Sequence, residues 1–351
     1  MVVKFQVFKK SARNDKITLY LTRRDHVDHV THVDNIEGVL VLDPNYVHSR
    51  NVYVQVAVNF RFGREDDESL GYSFVKTMYL HTIQVYPPEK ERPTTEIQRN
   101  LISKLGNFAF PFSLAFPELS SPSYSLMMGW QDQGSLMGLE YEAMGFVGSN
   151  EHDMQERSTA RMIVRRLMDC PLSLFDKPPP QKNISRSFLT CTGSVSIEAK
   201  LNSQVFYPDE NIMVKIELKN NTSREIKRLK VRLWYRGQVP MFQDRQARDR
   251  TICKVDDPLN LPPGALTNRE FVLVPTVPSK PAHGEVFLQP SMKDEDEPCL
   301  APSTLIAPSI KKRDLFGIYV SYMVRVKATL GTLVGDAILD IPFVLAVQQG
   351  S

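Results

Sequence analysis

The run Arg24-Asp-His-Val-Asp-His-Val-Thr-His32 sets His26, His29 and His32 at intervals of three, with Asp25 and Asp28 between them. Imidazoles and carboxylates this close are the donor types of a zinc site or of general acid–base chemistry. Val27, Val30 and Val33 share the same interval, however, and Thr31 and the preceding strand do not favour a helix. On a strand His26 and His29 face opposite ways. They are therefore read as surface and turn histidines, and no metal ligand or cofactor is assigned. Two acidic runs, Gly63-Arg-Glu-Asp-Asp-Glu-Ser-Leu-Gly71 and Met292-Lys-Asp-Glu-Asp-Glu-Pro298, offer paired carboxylates. Neither has calcium-loop spacing or a nucleophile beside it, so both read as solvated hairpin tips. With no G-x-G-x-x-G, Walker loop, G-x-S-x-G or H-E-x-x-H, an enzyme finds no support.

The cations are more informative. Lys9 and Lys10 follow a short apolar strand. In Arg161-Met-Ile-Val-Arg-Arg166 a strand sets Arg161, Ile163 and Arg165 on one face. Either a guanidinium there is buried and needs a carboxylate, or the segment is an edge strand with solvated arginines. Residues 224–254 hold ten Lys or Arg against three Asp or Glu, a local +7 in a chain whose whole balance is 43 − 40 = +3. That concentration suits phosphates, phosphoinositides or an acidic partner, or is a plain solvated face. Base-stacking aromatics are not interleaved with it, so nucleic acid is not an expected partner.

The elements that must hold these residues are mostly strands. Ile17–Leu21, Val52–Phe60, Phe74–Val85, Val195–Leu201, Ile212–Leu218, Ile226–Trp234 and Tyr319–Lys327 alternate with period two between Gly, Pro, Asn and Asp. Such spacing predicts antiparallel, immunoglobulin-like β-sandwiches rather than α/β units. One helix is predicted over Thr95–Leu105: Thr94 or Thr95 caps it, Ile97, Leu101 and Leu105 form its stripe, and Gly106 stops it. The 351 residues suffice for two domains, and Cys170–Asn183, with Pro178–Pro180, is the natural divide. The expected organisation is 5–172, a hinge at 173–184, and 185–347. A 42% hydrophobic content excludes wholesale disorder, and four scattered cysteines without a Cys-x-x-Cys pair fit a reducing cytosol. The expected location is cytoplasmic.

From about residue 5 to 346 the chain resembles the arrestin family. The resemblance is carried by Val7-Phe-Lys-Lys10, Asp15–Leu21, Arg24–His29, Phe62-Gly-Arg-Glu-Asp-Asp67, Lys104-Leu-Gly106, Arg161–Arg166, Leu300-Ala-Pro-Ser-Thr304, Phe316-Gly-Ile318, Val320-Ser-Tyr322 and Ile341-Pro-Phe343. Many motifs in family order make it specific, and its flavour is that of invertebrate visual or sensory arrestins. It implies an all-β arrestin fold of two β-sandwich domains with a hinge and one short helix. It also implies a non-enzymatic function: binding an activated, phosphorylated, rhodopsin-like G-protein-coupled receptor, blocking G-protein access, and being recruited to the membrane by that receptor.

Residue by residue, the resemblance makes Lys9 and Lys10 phosphate sensors, with Arg161 and Lys104 as weaker contacts. Asp25, Arg165 and Asp296 correspond to a buried charged core that receptor phosphate breaks by competing for Arg165. Phe62, Gly63, Arg64, Glu65, Asp66, Asp67, Glu68, Ser69, Leu70 and Gly71 correspond to the receptor-entering finger loop. Val7, Phe8, Leu101, Ile102 and Leu105 correspond to the surface on which a C-terminal tail docks. Lys230, Arg248, Arg325 and Lys327 approximate a phosphoinositide or inositol-phosphate site, in which Trp234 replaces an expected arginine.

Two departures qualify this reading. Gln289 stands where an acidic core residue is usual, and the sequence stops at Ser351 soon after its last strand, without acidic tail or clathrin motifs. The expectation is a weakened latch, a lower dependence on phosphate, and no clathrin or clathrin-adaptor partner. The alternative function is an arrestin-fold trafficking or scaffold adaptor. A β-sandwich enzyme using carboxylates near Glu65 or Asp294 is the remaining reading.

Overall fold

The computed structural model describes residues 7–61, 75–127, 137–238, 247–278, 286–290, 298–311, 316–331 and 334–347, with 126, 127, 137, 247 and 248 described by backbone alone. The expected finger loop and Asp296 lie outside the described residues. Two compact units emerge, and they are not contiguous in sequence. The first takes the described parts of Met1–Tyr124, Gly134–Leu167 and Ala307–Gly317; the second takes those of Ser125–Gln133, Met168–Ile306 and Ile318–Ser351.

In chain order the strands up to the first helix are β1 (Phe8–Ser11), β2 (Ile17–Leu21), β3 (Asp25–Asp28), β4 (Ile36–Leu42), β5 (Asn51–Arg61) and β6 (Val75–Tyr86). After helix α1 (Glu96–Leu105) come β7 (Ala109–Leu114), β8 (Tyr124–Met127), β9 (Met137–Gly148) and β10 (Thr159–Met168). The first unit has an antiparallel sheet β1-β2-β4-β7 and a second sheet in which β5 pairs with β6 and β9, and β10 lies between β9 and β3. Alternation explains β2, whose Ile17, Leu19 and Leu21 are buried in the core. β5 is a central strand buried almost continuously from Val52 to Val58, so its apolar run is the expected pattern. Gly38 of β4 is fixed by close approach, since a Cβ there would stand 2.2 Å from the Tyr20 carbonyl and 2.5 Å from the Phe112 ring.

Helix α1 starts where predicted and is held differently. Thr95 is its N-cap in a reciprocal capping box with Gln98, and Gly106 follows it at φ +92°. Its one fully buried residue is Gln98, which donates Nε2–H bonds to the carbonyls of Gly38 (2.9 Å) and Phe112 (2.8 Å). The stripe Ile97, Leu101 and Leu105 is only half-buried.

The second unit continues with β11 (Gln181–Phe188), β12 (Cys191–Leu201), β13 (Val205–Phe206), β14 (Ile212–Asn220), β15 (Arg228–Gln238), β16 (Ala247–Asp257) and β17 (Leu266–Leu273). It ends with β18 (Val286–Gln289), β19 (Cys299–Leu300), β20 (Tyr319–Gly331) and β21 (Gly335–Leu345). Its sheets run β11-β12-β14-β17 and β13-β21-β20-β15-β16, with β18 pairing both β8 and β19. The pairings are antiparallel except β13 with β21. In β20 Val320, Tyr322, Val324, Val326 and Ala328 are buried while Met323, Arg325 and Lys327 face outward. Residues 181–184, expected within the hinge, already belong to β11: the proline stretch stops short of them and their backbone is paired to β12. Among the described residues no helix is long and apolar enough to cross a membrane.

Candidate charge-pair and phosphate site

Strands β3 and β10 are the elements that matter. Arg165 N–H donates to the Arg24 carbonyl at 2.7 Å, and Arg24 Nε–H donates to the Ile163 carbonyl at 2.9 Å. This registers the carboxylates of β3 against the guanidinium groups of β10, in two pairs on opposite faces.

On the outer face Arg165 donates to both oxygens of Asp25, Nε to Oδ1 at 2.6 Å and Nη2 to Oδ2 at 2.5 Å. The fork-to-carboxylate match makes this a strong, oriented bond. The Arg165 side chain is 14% exposed and that of Asp25 47%, so the pair is desolvated on the cation's side and wet on the anion's. Arg24 lies alongside, its pKa lowered by burial and by Arg165 and raised by Asp25. Its guanidinium sits 5.9 Å from the Phe8 ring centre. The neighbourhood is thus cation-rich.

On the core face Arg166 and Asp28 form a second pair, which the sequence reading missed. Arg166 Nε and Nη2 lie 2.9 and 2.8 Å from Asp28 Oδ2, and Nη1 donates to the Pro117 carbonyl (2.9 Å) and Ser120 Oγ (2.6 Å). Both side chains are about 5% exposed or less. A signal existed: with Arg161, Ile163 and Arg165 outward, Met162, Val164, Arg166 and Met168 must face the core. The edge-strand alternative fails, because β10 has neighbours on both sides.

The remaining candidates are distributed. Arg161 is exposed, 3.8 Å from Glu142 and from Glu156. Burial raises the Glu142 pKa, against the lowering influence of Arg161. Lys9 and Lys10 are exposed on β1, with Lys9 Nζ 5.8 Å from the Tyr20 ring centre, and Lys104 is exposed in the last turn of α1. Val7, Phe8, Leu101, Ile102 and Leu105 are all half-buried. His26 corrects the surface-histidine reading: it is fully buried on the core side of β3, its ring 5.2 Å from Phe116 and its Nδ1 3.1 Å from the Asn35 carbonyl. Burial, with Arg23 nearby, lowers its pKa to about 4.

In the basic region of the second unit several cations are paired with carboxylates. Lys230 meets Asp256 at 3.5 Å, Arg325 holds Asp340 through two bonds of 2.7 Å, and Lys327 meets Asp336 at 2.5 Å. Trp234 lies under Arg325, whose guanidinium is 3.8 Å from the ring centre. Arg236 holds Asp249 through two bonds of 2.6 Å, and Arg248, paired with Gly237 in the β15–β16 register, is described by backbone alone.

The described residues thus form two largely antiparallel β-sandwich units, with oriented ion pairs on one and cation–carboxylate pairs on the other. The chain matches the family models described as "Arrestin (or S-antigen), N-terminal domain" over residues 17–170 and "Arrestin (or S-antigen), C-terminal domain" over 191–349. It is 34% identical to "Phosrestin-1" of Drosophila melanogaster over 350 residues, covering 98% of this chain and 86% of that protein. It is 36% identical to "Phosrestin-2" of the same fly over 352 residues (98% and 95%), and 32% identical to "Arrestin, lateral eye" of Limulus polyphemus over 348 residues (98% and 85%). The chain belongs to the arrestin family. Members are non-enzymatic signalling adaptors, which places it in receptor desensitisation in general and excludes the enzyme reading.

Proposed function

We propose that this arrestin binds an activated, phosphorylated, rhodopsin-like G-protein-coupled receptor from the cytoplasm and sterically blocks its G protein. The observation that carries the reading is the two-pronged Arg165–Asp25 bond on a cation-rich face. A receptor phosphate offers the same fork two oxygens and more negative charge, so it displaces Asp25 and frees the β3 segment. In this reading Lys9, Lys10, Arg161 and Lys104 gather phosphate, residues 62–71 enter the receptor, and Asp296 joins Asp25 and Arg165. Val7, Phe8, Leu101, Ile102 and Leu105 supply a surface for an added segment.

A phosphoinositide at Lys230, Arg248, Arg325 and Lys327 is a secondary contact. To engage it, the headgroup must displace Asp256, Asp340 and Asp336, which favours a weak surface interaction over a dedicated site. The adaptor reading, with reduced dependence on phosphate, is favoured by one observation: the solvent-screened Asp25 gives Arg165 a weaker hold than a fully buried partner would.

Co-sedimentation with active phosphorylated, active unphosphorylated and inactive receptor, alongside receptor-catalysed nucleotide exchange, tests both. The proposal expects binding to the first form and inhibition of exchange. Equal binding to both active forms favours the adaptor, and no binding to any form removes the receptor reading.

A further inference from the structure

The three histidines of the opening motif are regrouped by the fold. Beyond β3 the chain turns back as a tight hairpin: Asp34 N–H donates to the Val27 carbonyl (2.9 Å), Asp28 bridges Val33, and His29 N–H donates to the His32 carbonyl (2.9 Å). Val30, at φ +70°, and Thr31 form the tip. This register puts His29 directly across from His32, with Asp34 two residues further along the same face. His26 and Asp28 point to the other face and are buried. Linear spacing therefore grouped the wrong set: His26 leaves it and Asp34 joins it.

The side chains converge as the backbone dictates. The two imidazoles stack, with ring centres 4.6 Å apart and planes at 21°. Asp34 Oδ1 lies 3.4 Å from His29 Nε2, and the ligand atoms of all three residues lie within 4.8 Å of one another. Neighbours orient them. Arg23 Nη1 (2.7 Å) and Val27 N–H (3.4 Å) hold Asp34 Oδ2, turning Oδ1 toward the histidines. Thr31 Oγ1 sits 3.2 Å from His32 Nδ1, which steadies that ring.

We propose that this hairpin face is a binding site for a divalent transition metal of the zinc class. Two imidazole nitrogens and one carboxylate oxygen are a zinc donor set, with the fourth position left to water, whereas calcium and magnesium want oxygen ligands throughout. Bonds of about 2.0–2.2 Å around a tetrahedron need ligand atoms roughly 3.3–3.6 Å apart. Side-chain rotation of the partly exposed imidazoles closes the difference without moving the backbone. The ion would sit between His29 and Asp34 and would clamp the hairpin whose other face supplies Asp28 to Arg166.

The test is titration of the chelator-stripped full chain with Zn2+ against a chromophoric competitor, repeated with Co2+ for its visible bands. The expected result is one Zn2+ per chain, with Co2+ bands lacking a strong thiolate charge-transfer feature. Affinity should fall by about tenfold or more in His32→Gln, Asp34→Asn and His29→Gln/His32→Gln. It should be unchanged in His152→Gln, which alters an exposed histidine elsewhere, and circular dichroism should report an unchanged fold in every variant. No saturable uptake below roughly 100 µM overturns the proposal. So does undiminished binding in the double variant, or a thiolate band placing the ion on cysteine.

Discussion

Arg165 and Arg166 are neighbours in sequence with opposite fates, and the difference sets what each contributes. Arg166 is buried against Asp28, so Asp28→Asn leaves a guanidinium uncompensated in the core. That should cost about 3–5 kcal/mol by urea denaturation, whereas Asp25→Asn, at the half-exposed partner of Arg165, should cost about 1 kcal/mol. His26 gives a pH prediction. Burial and Arg23 hold its pKa near 4, against the helping Asn35 carbonyl and the more distant Asp34 and Asp25. An unfolded histidine titrates near 6.5, so between these values the unfolded chain binds the extra proton and stability falls as pH falls. The loss should reach at most roughly 3 kcal/mol by pH 4, and His26→Phe should flatten the melting temperature between pH 6.5 and 4. At this scale the contact between Asp25 and Arg165 was legible from motif, while Lys9 and Lys10 are seen only as exposed residues of β1. Arg166 and Asp28 were overlooked because a charge on the core-facing register is read as surface until strand faces are assigned.

At the scale of elements, period-two strands such as β2 and β20 were legible because one face is buried and the other wet. The boundaries of α1 were legible from Thr95 and Gly106. Its attachment was not, since a glutamine is expected outside and Gln98 lies inside, bonded to two carbonyls of the sheet. Gln98→Leu removes those bonds and half the capping box. It should cost about 1–3 kcal/mol and speed amide exchange in Glu96–Leu105 more than in β5. Gly38→Ala should destabilise by about 1–3 kcal/mol, because the added methyl meets backbone and a core ring, and calorimetry reads this directly. The hairpin after β3 was hidden for a related reason: its pairing is set by two residues at its tip, Val30 and Thr31, that carry no glycine or asparagine signal.

For the whole molecule, the two-sandwich architecture was legible, but not the exchange by which Ala307–Gly317 joins the first unit. Distant segments carry no local mark of where they pack. Net charge was equally uninformative until its partners were located. Within the local +7 of residues 224–254, Lys230 meets Asp256 and Arg236 meets Asp249, while Asp336 and Asp340 hold Lys327 and Arg325 of the adjoining β20. Binding to phosphoinositide vesicles should therefore be weak and lost near physiological salt, while Asp336→Asn/Asp340→Asn, which frees Lys327 and Arg325, should strengthen it by up to roughly thirtyfold, at about 1 kcal/mol per freed cation. The central claim is that the Arg165–Asp25 pair gates receptor engagement. Its most direct test is the ratio of binding to phosphorylated and unphosphorylated active receptor for the wild type, Arg165→Glu and the swap Arg165→Asp/Asp25→Arg. The account predicts a ratio of roughly tenfold in the wild type, collapse in Arg165→Glu through a gain on the unphosphorylated receptor, and recovery in the swap. An unchanged ratio in Arg165→Glu, or a loss of binding to both forms alike, would contradict it.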